Sequence, residues 1–422
     1  MKRVLVPTLM AMACGAAMAQ STSSVTLYGI VDAGIQHVTG YKKGSDTALV
    51  SGIMDGSRFG LRGNEDMGGG YRAIFTLENR TELNNGSGTN RPISGTQLPD
   101  RMSQASLMFP TLPAPVQAAL QPLVTGVGNN LATQAYGVNI PGRFWDRQAY
   151  VGLVTPFGGF LAGRQYTPAY EVSASFDTLA TQSSLAAGQV ASFPSAVEIR
   201  ISDALQYRIQ MGGLTASFMY GFGGATGDNA INRFMGGMVM YRAGGYAAGL
   251  SYNERNNELG KSSLHSTVFG ASADIGPGTL SGMYQAFRDD NPAGLSGIAA
   301  GLVAQGAPAS AAALVQGGFI EALKIDGDVF HVGYKMTTGP NTFYVAYNQF
   351  NDSRPANADV ASYGVAYTYA LSKRTDLNAV LTHFDNKNLA QAAPGQAGFL
   401  GGVTATAGKD ADSIAFGIRH RF

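Results

Sequence analysis

The side chains best placed to act on a passing solute are arginines in strand-like runs. Arg58 and Arg62 share one parity, opposite Phe59 and Leu61. Arg72, Thr76, Glu78 and Arg80 share another, opposite Tyr71, Ala73, Phe75 and Leu77. Arg147 and Arg164 flank the turn Thr155-Pro156-Phe157-Gly158. Successive side chains of a strand point to opposite faces, so each run gathers its cations on one side. Rings of such charges around a narrow aqueous passage set ion selectivity. The plainer reading is that these arginines are ordinary solvated residues. Glu78 and Asp66 read as an ion-pair partner and a turn residue.

Enzymatic chemistry finds little support. The histidines (His37, His265, His331, His383, His420) lack metal-ligand spacing, so no metal or other cofactor is expected. No G-x-S-x-G or phosphate-binding loop occurs. Asp326-Gly327-Asp328 hints at calcium but lacks the rest of such a loop, and reads as the start of a strand.

The elements that must position the arginines follow from the whole chain. Lys2-Arg3, an apolar run and Ala17-Met18-Ala19 predict a secretory signal peptide over 1–19, leaving a mature chain of 20–422. Lipidation of Cys14 would want Leu where Ala11 stands. Cys14 is the only cysteine, so the mature chain has no disulfide framework. Charged residues are 14%, well below the ~25% of soluble domains, yet no mature segment is apolar for the ~18 residues a helical span needs. Net charge is +1; removing Lys2 and Arg3 leaves 27 basic against 28 acidic residues, which suggests no nucleic acid or polyanionic partner.

Apolar content is spread by alternation. Leu214, Ala216, Phe218, Tyr220 and Phe222 oppose Thr215 and Ser217; Phe330, Val332, Tyr334 and Met336 oppose His331, Gly333 and Lys335. Tight-turn sequences such as Asp66-Met67-Gly68-Gly69, Met211-Gly212-Gly213 and Ser372-Lys373-Arg374 alternate along the chain with longer connections, near 39–49, 84–144, 167–197, 224–231, 256–261, 290–324, 353–358 and 387–409. Short and long connections alternate in transmembrane barrels because their strands run up and down. The expectation is an all-β fold: a transmembrane antiparallel up-and-down β-barrel of about sixteen strands. An open edge cannot persist in hydrocarbon, so the strand near Val25–His37 must pair with the one near Asp412–Phe422. Tyr28, Tyr71, Phe157 and Tyr369 suit interfacial girdles. Asp203 resists the pattern, since alternation places it on the lipid face, and a rim position or a bulge would accommodate it.

The residues also resemble a family. Val25-Thr26-Leu27-Tyr28-Gly29-Ile30-Val31-Asp32-Ala33-Gly34 looks like the first strand of betaproteobacterial general porins, and Ser57-Arg58-Phe59-Gly60-Leu61-Arg62-Gly63-Asn64-Glu65-Asp66 resembles their second strand and first turn. Arg147-Gln148-Ala149-Tyr150-Val151-Gly152-Leu153, Gly163-Arg164-Gln165-Tyr166, Leu371-Ser372-Lys373-Arg374-Thr375 and the terminal Arg419-His420-Arg421-Phe422 match further along. The resemblance implies a sixteen-stranded homotrimer in the cell outer membrane, among its lipids and lipopolysaccharide, for passive diffusion of small hydrophilic solutes. It implies that the loop after the fifth strand, about 167–197, folds into the lumen and narrows it, bringing Glu171 and Asp177. A constriction of Arg58, Arg147 and Arg164, with Arg62, Arg80 and Arg200 as weaker candidates, would then face these acids and give a mild anion preference. Phe422 resembles the signal read by the outer-membrane assembly machinery.

Two loops depart from the family. The stretch near 84–144 is long and apolar, a length suited to covering a neighbouring subunit, and 290–324 is Ala/Gly-rich and nearly uncharged. The competing functions are a substrate-selective channel for small organic anions, and a barrel enzyme or translocator. A translocator would need a long passenger ahead of the first strand, and a barrel enzyme a nucleophile or acid–base set at the rim; neither stands out.

Overall fold

The computed structural model describes residues 23–191, 198–224, 226–397 and 400–422, so the expected signal peptide and residues 192–197 of the fifth-strand loop lie outside it. Sixteen antiparallel strands close on themselves. They are β1 (Ser24–Tyr41), β2 (Arg58–Gly68), β3 (Tyr71–Arg80), β4 (Gln148–Thr155), β5 (Gly158–Tyr166), β6 (Arg200–Met211), β7 (Leu214–Gly221) and β8 (Phe234–Ala243). The circuit continues through β9 (Tyr246–Asn256), β10 (Ser262–Ile275), β11 (Gly278–Asp289), β12 (Ile325–Thr338), β13 (Asn341–Asp352), β14 (Val360–Ala370), β15 (Thr375–Asn386) and β16 (Ala411–Arg421). β1 pairs with β2 over its first half and with β16 from Ile30↔Arg421 to Val38↔Ser413. Phe422 completes the seam, exchanging two backbone hydrogen bonds of 3.1 Å with Gly29. Closure leaves no strand edge to face lipid unpaired.

Parity decides what meets lipid. Phe218 is 54% exposed on the outside while its neighbour Ser217 is 9% exposed inside. Tyr71, Phe157 and Tyr369 are exposed apolar residues near the turns. Tyr28 departs from the girdle expectation: it points inward, donating to Glu78 Oε2 at 2.9 Å, with Arg62 3.9 Å above its ring. Asp203 sits in a bulge near the external end of β6. The register with β5 steps from Gly163↔Ala204 to Gln165↔Ile201, so Ser202 and Asp203 together oppose Arg164. Asp203 has φ +53°, the left-handed region Asp tolerates better than most residues. The extra residue shifts the parity of 200–202, so Ile201 joins the buried cluster with Met219 and Phe234, while Asp203 stays exposed at the rim.

Loops fill much of the lumen. After β1 the chain doubles back as a strand, Gly44–Ser51, along β1, and Gly52–Ser57 then turns inward. This longer excursion replaces the simple loop expected near 39–49. The buried Asp32 carboxylate accepts from the amides of Ile53, Met54 and Asp55 at 2.7–2.9 Å and holds that turn. The loop after β5 begins with helix α3 (Pro168–Phe176) (α1 and α2 precede it in the loop after β3). Thr167 caps it by accepting from Tyr170 N and ties the loop's ends together through Glu198 O. Phe176 is fully buried over Gly249 and Gly270, where an added Cβ would lie 2.8 and 2.2 Å from its ring. Side chains there would push the helix off the wall. His331 accepts from Thr178 N at 3.0 Å, and Asn348 donates to Leu185 O at 2.9 Å, pinning the loop to β12 and β13.

Two external loops form helices: α1 (Ala105–Met108) and α2 (Ala114–Ala135) between β3 and β4, and α4 (Ile298–Ala304) and α5 (Ala309–Leu323) between β11 and β12. They share one apolar cluster in which Met102, Phe109, Leu120 and Val124 meet Val315 and Phe319. Arg91 caps α2, donating to the carbonyls of Ala132, Thr133 and Tyr136 at 2.7–3.3 Å. The long loop packs on its own chain.

Candidate pore constriction

The inward turn and the adjoining strands bring Arg58, Arg80 and Arg147 together. Arg58 and Arg80 are direct cross-strand partners. An added Cβ on Gly56 would lie 3.6 Å from Nη1 of both Arg80 and Arg147, and 3.8 Å from Gln182 of the lumen loop. Gly56 N donates to Gln182 Oε1 at 3.1 Å, so the inward turn and the lumen loop meet where these guanidiniums converge.

Each of the three is neutralised locally. Arg147 is fully buried, with Nε 2.7 Å from Glu78 and Nη2 donating to the Tyr166 hydroxyl at 2.9 Å. Arg80 pairs with Glu82 at 3.1 Å and reaches Asp146 at 3.6 Å. Arg58 pairs with Asp55 at 3.1 Å. Asp55 also binds Arg419 at 2.6 Å, and Arg419 is held by Asp376 at 3.0 Å. Burying charges is costly unless they are paired, and this wall meets that cost with carboxylates on neighbouring strands and turns.

The remaining expected residues lie elsewhere. Arg62 stays over Tyr28, apart from the cluster. Arg164 is the cross-strand partner of outward-facing Ala149; its Nε donates to Asp146 O at 2.6 Å and its Nη1 to Ser202 Oγ at 2.9 Å, at the rim beside the bulge. Glu171, on the first turn of α3, pairs with Arg208 of β6 at 2.6 Å, away from the three arginines. Burial raises its carboxyl above the ordinary glutamate range, against the pull of Arg208. Asp177 is not a lumen charge: it is buried and accepts from Leu179 N and Ala187 N at 2.8 Å, bracing the loop.

Arg200 and Tyr166 join the site. The Arg200 guanidinium lies 4.8 Å from the Tyr166 ring, which stacks on Tyr170 with centroids 4.8 Å apart. Below this contact a cavity of about 790 Å³, lined by Arg72, Tyr150, Gln165, Tyr166, Glu171 and Arg208, extends to the short turns. Sequence reasoning missed Arg208 and Asp55. Arg208 shares parity with Gln206, opposite Leu205 and Tyr207, a signal that alternation already carried. Asp55 falls in a turn with no periodicity.

The described residues hold no helix long and apolar enough to cross a membrane. Comparison with known proteins agrees with this architecture. Residues 7–389 match the Gram-negative porin family. The outer membrane porin protein 32 of Delftia acidovorans is 26% identical, with all of both chains covered. An anion-selective porin from Comamonas acidovorans superposes with a TM-score of 0.68 at 22% identity, over 95% of this chain and all of that one. OmpT of Vibrio cholerae, in its trimer form, superposes at 0.56 with 14% identity, over 95% of this chain and 99% of that one. With its strands closed around a partly filled lumen, the chain belongs to the Gram-negative porin family and is an outer-membrane porin, a multi-pass barrel forming a diffusion channel.

Proposed function

We propose that this channel passes small hydrophilic solutes with a mild preference for anions, and that it works as a homotrimer among outer-membrane lipids and lipopolysaccharide. The observation that carries the preference is charge balance near the outer wall. Asp55, Glu78, Glu82, Asp146 and Glu198 each have a cationic partner. Arg143, Arg164 and Arg200 make no ion pair among the described residues. Against one exposed carboxylate there without an ion pair, Asp203, the surplus is therefore positive, although the whole chain is near neutral. The solved Comamonas relative is named for anion selectivity.

The test is the reversal potential across a potassium chloride gradient, for native protein and for Arg164→Ser with Arg200→Ser. The Debye length is about 8 Å at physiological salt, so the difference should be modest there and larger in dilute electrolyte. Native protein should favour chloride and the double variant should move toward potassium. Equal potentials in dilute salt would sink the charge argument. Saturation of single-channel current by a small dicarboxylate would mark the second reading, a channel selective for small organic anions. The arginine-lined space at Arg80 and Arg200 favours that reading.

Trimer formation is supported by the outer surface. The exposed outward residues of β1 and β4 are aliphatic (Val25, Leu27, Ile35, Val151, Leu153), while β9 to β14 carry Tyr252, Phe269, Tyr284, Phe330 and Tyr363. Aromatic girdles suit lipid interfaces, and an aliphatic face suits another copy. Unheated protein should run as a high-mass band on a semi-native gel and collapse on boiling. A monomer in gentle detergent, by light scattering, would refute assembly.

A further inference from the structure

The connections β3–β4 and β11–β12 lie eight strands apart in a ring of sixteen, on opposite sides of the mouth. Helices from these two loops share one hydrophobic cluster, so the chain must cross the mouth to form it. The last loop adds to the span: Val403 joins the cluster and Tyr136 donates to Gly401 O at 2.8 Å. The roof presents no charge along 102–142 or 291–320.

Charge reappears at the roof's edge. Immediately after the uncharged stretch comes Arg143, which lines a cavity of about 170 Å³ with Arg80, Asp146, Arg164, Ile199 and Arg200. That space would hold about five waters or one small anion. Asp146 is its sole carboxylate. Arg80 has a side chain only 4% exposed, and its Nε and that of Arg200 are buried without a hydrogen-bond partner among the described residues. Arg80 Nε has only the Asp146 carboxylate at 3.6 Å, and a buried charged donor without a hydrogen bond is costly unless something fills it. Arg200 also packs on Tyr166, which lines the large inner cavity. The small outer space and the large inner one therefore abut at that contact.

We propose that the roof closes the direct axial route and that small anions enter beneath its edge, through the cavity at Arg80, Arg143, Arg164 and Arg200. Carboxylate or phosphate groups fit such a set of guanidiniums. Arg143 and Arg164 are then specificity-determining residues at an entrance, outside the Arg58–Arg80–Arg147 cluster. This rests on the proposed anion preference. The uncharged roof offers an anion nothing, so the arginine edge gathers the attraction at one place.

The experiment uses single cysteines, since Cys14 is the chain's only natural one. Arg143→Cys places a thiol at the exposed edge of the cavity, and Val116→Cys places one on the exposed roof. Each protein, and the native protein as control for Cys14, is reconstituted in planar bilayers in potassium chloride. Each is then treated with an anionic sulfonatoethyl thiosulfonate, and mass spectrometry confirms one label per engineered thiol. Labelling at position 143 should cut the current by more than half and abolish chloride preference. Labelling at position 116 should change neither. A cationic aminoethyl label at 143 should keep the preference that the anionic label removes. Unchanged current after complete labelling at 143, or equal block from 116, would overturn the side entrance. Failure of the anion preference is separate: it appears as a zero reversal potential in the unlabelled native channel.

Discussion

The buried pair Arg147–Glu78 offers a sharp test of how the lumen wall is built. At 2.7 Å and an effective dielectric of about 20, two unit charges attract by about 6 kcal/mol. Desolvation offsets much of that, so the net worth of the intact pair is small, whereas removing one partner leaves a buried charge. Arg147→Met should therefore cost about 3–5 kcal/mol, and Glu78→Gln should cost a comparable amount. The double variant leaves neither charge stranded, and the side-chain amide introduced in place of Glu78 can still accept from Tyr28. Its cost should fall short of the sum of the singles by about 2 kcal/mol or more, near the upper range for residues in contact. Trp145, the only tryptophan, sits two positions from Arg147 against Phe144, with ring centroids 4.7 Å apart. Its fluorescence reports urea unfolding in detergent micelles close to the perturbed pair. Additivity within about 0.5 kcal/mol would refute the reasoning. The same variants carry a functional sign: Arg147→Met exposes an unbalanced Glu78 and should move the reversal potential toward cations, and Glu78→Gln should move it the other way.

Deleting Phe422 removes both backbone bonds to Gly29 and the terminal aromatic, so protease-sensitive unassembled protein should accumulate in the periplasm; normal levels of folded barrel would contradict this. Phe319→Ala empties the centre of the roof cluster, a change worth about 3–5 kcal/mol in a packed core, and should open 105–135 and 298–323 to external protease while gel mobility of the barrel stays native. Glu258 accepts from Gly294 N at 2.8 Å and Ser296 N at 3.1 Å, tying the β9–β10 loop to the base of the roof. Partial burial works against its charge, but these bonds outweigh it and hold its carboxyl below the ordinary range. A lowered carboxylate contributes stability above its ordinary value of about 4.3, and that contribution is lost as pH falls through the lower folded value. The protection factor of the Gly294 amide, taken relative to its intrinsic exchange rate at each pH, should therefore fall on acidification in the native protein and be pH-independent in Glu258→Gln.

Where residues repeat a local rule, the fold was legible. Gly-rich pairs such as Gly69-Gly70 and Gly244-Gly245 have positive φ at the short turns, a conformation that favours glycine, so composition alone placed those turns. Alternation likewise placed the faces of β7, β12 and β14. It failed at the external end of β6, because one extra residue at Asp203 reverses parity beyond it. Arg164 shares the parity of exposed Phe160 and pairs with outward-facing Ala149, which leaves it at the rim. Tyr28 was misplaced for a different reason. A girdle takes aromatics only from the outward face, and the parity of Tyr28, opposite exposed Val25 and Leu27, turns it inward to Glu78 on β3. Charge type gave no guide to Asp177 either, since a carboxylate bracing two amides and one lining a pore are the same residue in sequence. The roof was least legible. Its two loops read separately as departures, one long and apolar, one Ala/Gly-rich, and neither has a partner within its own span. They are eight strands apart, so their contact exists only after the barrel closes. An apolar loop that cannot bury itself locally is, on a closed ring, evidence of a complement elsewhere on the rim, and the uncharged loop near 290–324, joined by Val403 of the last loop, is that complement.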